Sequence, residues 1–117
     1  MPAEINNELG KITISEDLIA DIAGHAAVEN YGIVAMNLKK GGKSLFELFN
    51  ADDTSRGVKV TAVSADTFNI DLYVTIMYGV SISAVGENAR ANVKYSVETA
   101  TGLKIQSVNI HVEGVRV

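Results

Sequence analysis

The run Lys39-Lys40-Gly41-Gly42-Lys43-Ser44 comes closest to a known chemical motif in this chain. Gly-Lys-Ser at its end matches the tail of a phosphate-binding loop, where backbone N–H groups cradle phosphate and the lysine neutralises it. The full motif also needs a glycine five residues before the second one, and that position is Asn37. It further needs a magnesium-binding carboxylate on another parallel strand of a larger domain. A solvated loop ahead of an ordinary helix cap fits these residues better. A small phosphate or nucleotide site at 39–44 stands as an alternative.

Metal chemistry would have to use the two histidines, because the chain has no cysteine. His25 and Glu29 share a helix face at i, i+4, and His111 and Glu113 share a strand face. Two histidines and two carboxylates would suit zinc only if the pairs met. They sit on elements expected to face apart, so the expectation is no metal and no cofactor. Acid–base catalysis needs two titratable groups in a cleft that displaces their acidities. Asp71 and Glu113 become neighbours if their strands pair, but on a wet sheet face. No serine or threonine has a recognisable base partner, so the chain reads as a non-enzyme.

Those residues are placed by a clear succession of elements. Residues 1–9 are polar and read as a flexible lead-in. Lys11-Ile12-Thr13-Ile14 alternates as a short strand. Ser15 can cap a helix whose first turn carries Glu16 and Asp17 at its positive end. Leu18, Ile19, Ile22, Ala23, Ala26 and Ala27 recur at helical spacing, and Asn30-Tyr31-Gly32 stops the helix. Ile33 to Leu38 reads as a buried strand. Ser44 and Glu47 have capping-box spacing and start a short helix near 44–50.

Val58, Val60 and Ala62 then alternate with Lys59 and Thr61. Phe68, Ile70, Leu72, Val74 and Ile76 point one way, against Asn69, Asp71, Tyr73 and Thr75, and the two runs make a hairpin. Ile82, Val85, Ala89, Val93 and Val97 line a second helix that ends at Gly102. Val108, Ile110 and Val112 alternate with Asn109, His111 and Glu113 in a last strand. Ile105 is out of phase with that set, which predicts a bulge near Gln106. The order β-α-β-β-β-α-β, with the short extra helix, defines an α+β two-layer sandwich. Both helices cover one face of a mixed sheet and the other face is open.

Composition agrees. The chain has 117 residues, 47% hydrophobic and 21% charged, enough for one domain over residues 10–117. A net charge of −4 opposes general nucleic-acid binding, which needs a positive surface. The first residues lack a basic region followed by an apolar run, and no stretch approaches the roughly 20 apolar residues of a membrane helix. A cytoplasmic protein is expected.

The ordered set GKITISEDLIADIAGHAAVENYGIVAM, SRGVKV and IDLYVTIMYG…VKYSVETATGLKIQSVNIHVEGVRV resembles the alkaline-shock protein family of Gram-positive bacteria. Within that family it resembles above all the short, stand-alone YloU-like branch. The resemblance implies a cytoplasmic protein of cell-envelope homeostasis or stress response, with protein partners and no established catalysis. It also implies a functional association with a fatty-acid kinase of the dihydroxyacetone-kinase-like type, or with a membrane-anchored envelope protein.

Two surfaces are expected to carry such contacts. One is the open sheet face: Asn69, Asp71, Tyr73, Thr75, Asn109, His111 and Glu113, with tyrosine as the natural anchor. The other is a docking segment, Leu45, Phe46, Leu48 and Phe49, whose plainer role is to cover the core. Self-association into a homo-oligomer is compatible with either. A single-strand RNA binder on a KH-like frame is the competing class, but no Gly-x-x-Gly loop lies between helices here.

Overall fold

The structure, a computed structural model, describes residues 3–36 and 57–117. Its organising element is β5 (Thr67–Met77), which presents strict alternation. Phe68, Ile70, Leu72, Val74 and Ile76 are fully buried, and the residues between them are half-buried. Along one edge, β5 pairs in parallel with β6 (Lys104–Arg116) over its whole length. Its other edge is shared end to end by two antiparallel strands. β3 (Ile33–Met36) takes the C-terminal half, with Met36 opposite Val74, and β4 (Val58–Ala62) takes the N-terminal half, with Val58 opposite Leu72. The sheet is therefore mixed, as the sequence predicts, with β5 at its centre.

Among the described residues, two helices cover one face. α1 (Glu16–Glu29) starts where the Ser15 hydroxyl accepts the Leu18 N–H at 3.2 Å. It buries Ile19, Ala20, Ala23, Gly24 and Ala27, small residues for the most part that let the helix lie close to its support. Leu18, expected in that stripe, is 48% exposed. α2 (Ile82–Thr101) is capped by Ser81 and ends at Gly102, whose left-handed φ of 76° closes the last turn. Val85, Ala89, Val93 and Val97 form its buried stripe, and Ile82 at its first turn does not join them. Both stripes and the apolar side of β5 make one core. The architecture is α+β with both helices on the same side.

Two expectations are corrected at the N-terminus. Within the expected lead-in of residues 1–9, residues 3–9 are ordered: β1 (Ala3–Asn7) pairs antiparallel with β2 (Gly10–Ile14). The Asn7 side chain accepts the Leu9 N–H at 2.8 Å and closes the turn. Ala3 is fully buried, and the Glu4 N–H donates to the Ala65 carbonyl at 3.1 Å, which moors the hairpin to the β4–β5 connection. The strand at 11–14 is accordingly part of this separate two-stranded sheet, not of the main one. The short helix near 44–50, with the docking segment Leu45 to Phe49, and the phosphate-loop-like run at 39–44 lie outside the described residues.

Two irregularities shape β6. Phe68 pairs with Ile105 and Asn69 with Ser107, so Gln106 is the extra residue of the expected bulge. The Glu98 carboxylate on α2 accepts the Ile105 N–H there at 2.9 Å. Glu113 is a second extra residue, since Val74 pairs with Val112 and Thr75 with Gly114.

Candidate interaction surface

Parallel register turns the open face of β5 and β6 into a stack of matched rungs. Asn69 stands beside Ser107, Asp71 beside Asn109, Tyr73 beside His111 and Thr75 beside Gly114. On the far side of β5, Thr61 joins the Asn69 rung and Lys59 the Asp71 rung. Side chains standing on adjacent strands at this spacing touch. The Ser107 hydroxyl donates to Asn69 Oδ1 at 3.0 Å. Asp71 Oδ1 accepts from Asn109 Nδ2 at 3.2 Å and lies 3.0 Å from His111 Nε2. The Tyr73 and His111 rings stack, with centroids 4.6 Å apart and planes 13° from parallel.

The expected surface residues are thus brought together, with one displacement. Asp71 and Glu113 are not neighbours: Asp71 faces Asn109, and Glu113 belongs to the bulge beside Thr75. The face is also drier than a free sheet surface, with the Asp71 side chain only 22% exposed and that of His111 44%. Ser107 joins the face in phase with Asn109 and His111, while the extra residue at Gln106 turns Ile105 into the core.

Chemically, the arrangement offers hydrogen-bonding groups and an aromatic pair, and among the described residues no nucleophile is paired with the dyad it contains. Asp71 and His111 form a dyad, but a nucleophile would have to sit within about 3 Å of the imidazole. Ser107 lies four residues from His111 along the strand, about 13 Å at the strand rise, and its hydroxyl is committed to Asn69. The Tyr73 and His111 rings each turn one face toward the other.

His25 and Glu29 line an open groove of about 450 Å³ between the helices, with Ile22 and Tyr95, on the opposite side of the molecule from His111. The two histidine pairs do not meet. Among the described residues no cluster of histidine and carboxylate side chains is placed to hold a metal ion. No described helix is long and apolar enough to cross a membrane.

The second buried feature is structural. Asn30, 8% exposed at the end of α1, accepts from Asn92 Nδ2 on α2 and donates to the Tyr31 carbonyl at 3.4 Å. It locks the two helices together at the level where Gly32 leads into β3.

The described residues form a small α+β sandwich with one helix-covered face and one ordered polar face. Residues 4–117 match the model of the alkaline-shock protein family, which is described as having a cell envelope-related function. The chain belongs to that family, the one its sequence resembles. It is 43% identical to the uncharacterized protein YloU of Bacillus subtilis (strain 168), over 100% of this chain and 98% of that protein. It is 34% identical to the uncharacterized protein Spy1614 of Streptococcus pyogenes serotype M6, over 100% and 97% of the two chains. The uncharacterized Bacillus subtilis protein YqhY is also 34% identical, over 95% of this chain and 81% of its own length. No solved structure matches.

Proposed function

We propose that this protein is a non-enzymatic, cytoplasmic interaction module serving a cell-envelope process, and that it recognises a protein partner through the polar β5/β6 face. The observation that supports this is the rung pattern from Asn69–Ser107 to Tyr73–His111, in which hydrogen bonds and a ring stack hold the side chains in place before any partner arrives. Preordered side chains lose little rotamer freedom on binding, which favours affinity. The half-buried tyrosine offers apolar area with a polar tip.

The family resemblance points to a fatty-acid kinase or a membrane-anchored envelope protein as the partners to test first. The experiment is a native pull-down probed for both, with the wild type and with Tyr73→Ala. Tyr73→Ala is expected to lose the captured partner while its circular dichroism stays native. Full retention of the partner by a folded Tyr73→Ala protein rules out the sheet face.

A further inference from the structure

We infer that the groove between α2 and the outer edge of β6 takes an extended segment of a partner protein as an added strand, one that carries an apolar side chain and, further along, an acidic one. Among the described residues, β6 is paired along one edge only. It contains no proline, and between its two bulges residues 107–112 keep regular register. The unpaired N–H and C=O groups of such an edge are already aligned to receive a further strand.

The helix side of this edge decides what kind of strand fits. α2 packs chiefly over β6, so its outer flank stands beside the place where an added strand would lie. Strands lie about 4.8 Å apart, whereas packed helices need about 8–10 Å between axes. A strand that brings its own helix layer is therefore excluded, a second copy of β6 included, and a bare extended chain fits. Ile82, Gly86, Ile110 and Val112 line one end of the groove, about 220 Å³ of open space. Ile82 is 48% exposed and Ile110 and Val112 are half-buried, so this end is apolar and uncovered. Gly86 lies inside the helix, where glycine is disfavoured relative to alanine. A Cβ there would meet nothing within 4 Å, so no contact among the described residues explains the glycine. An incoming side chain would.

Charge sets the other end. Lys94, with Val108 and Asn109, lines the adjoining stretch of about 370 Å³, and Glu87 and Arg90 line both stretches. Glu87 and Arg90 pair with each other at 3.4 Å. Lys94 has no ion-pair partner among the described residues, so the groove holds one positive charge in excess on a chain of net charge −4. Along β6, Val112 and Val108 face the same way four residues apart, about 13 Å at the strand rise. Antiparallel addition is the more stable sense, and it fixes the order of the incoming segment. An apolar residue reaches Ile82 and Gly86, and an aspartate or glutamate four residues later reaches Lys94. This recognition uses the β6 backbone and the α2 flank, so it stands independently of the Tyr73 reading.

The test pans a phage library of random 12-residue peptides on the purified full chain and follows a synthetic copy of the leading peptide. Enriched peptides are expected to share an apolar residue followed four positions later by aspartate or glutamate. The bound peptide should slow hydrogen exchange at alternate backbone amides within 107–112, the mark of strand addition. Gly86→Gln favours the helix yet fills the groove, and should weaken the peptide by about tenfold or more with an equal or higher melting temperature. Panning on the Lys94→Glu protein should replace the acidic residue of the peptides by lysine or arginine, a change of selectivity that loss of folding cannot produce. Tyr73→Ala should bind the peptide as the wild type does. No enriched sequence, unslowed amides within 107–112, undiminished binding by Gly86→Gln, an unchanged motif on Lys94→Glu, or loss of the peptide on Tyr73→Ala overturns the inference.

Discussion

Asp71 organises the polar face because one of its oxygens serves both Asn109 and His111. The bonds lie near solvent, so the partners would turn to water if the carboxylate were removed. Asp71→Ala should therefore cost only about 1 kcal/mol of stability, measured by urea unfolding, while releasing the His111 ring from its fixed orientation. Narrowed side-chain NMR dispersion at His111 would report that release. Gly32 is the opposite case. Its φ is 99°, and a Cβ there would lie 2.6 Å from Val85 Cγ2. Gly32→Ala combines left-handed strain with overpacking and should cost more than about 2 kcal/mol. A urea midpoint within error of the wild type would contradict that account.

At the scale of elements, the hairpin β1–β2 is where stability departs most from what its polar sequence suggests. Ala3 is fully buried in the same cluster as Phe68 and Ile105. Ala3→Asp puts a carboxylate into that cluster and should destabilise the fold by at least about 2 kcal/mol, whereas a disordered lead-in would tolerate it without change. The Ser81 hydroxyl accepts the Ala84 N–H at 3.3 Å, so Ser81→Ala should cost about 1 kcal/mol, read from thermal unfolding.

The central elements are legible in the sequence because their periods are strong. β5 alternates over its full 11 residues, and both helices carry serine caps. The hairpin is hidden because Glu4, Asn6, Asn7 and Glu8 look solvated. Its pairing is settled by contacts distant in sequence, such as the Glu4 N–H to Ala65. Leu18 and Ile82 mislead for a related reason: each keeps helical phase with the core but lies in a first turn that overhangs it.

For the molecule as a whole, the sequence shows which side chains share the open face but not how they are joined. Alternation alone places Asn69, Asp71, Tyr73, Asn109 and His111 on one side. Rung partners depend on register, which the extra residues Gln106 and Glu113 set and which no period reveals beyond a one-residue slip. The register sets Ser107 beside Asn69 and Asn109 beside Asp71, and the second bulge takes Glu113 off the Thr75 rung.

The most direct measurement is site-specific photo-crosslinking in the native cell. A photoreactive residue at position 109, on the polar face, is compared with one at position 21, exposed on α1. The account predicts one discrete crosslinked protein from position 109 and none in common with position 21. Identical patterns from the two positions, or no adduct from position 109, would contradict recognition through the β5/β6 face.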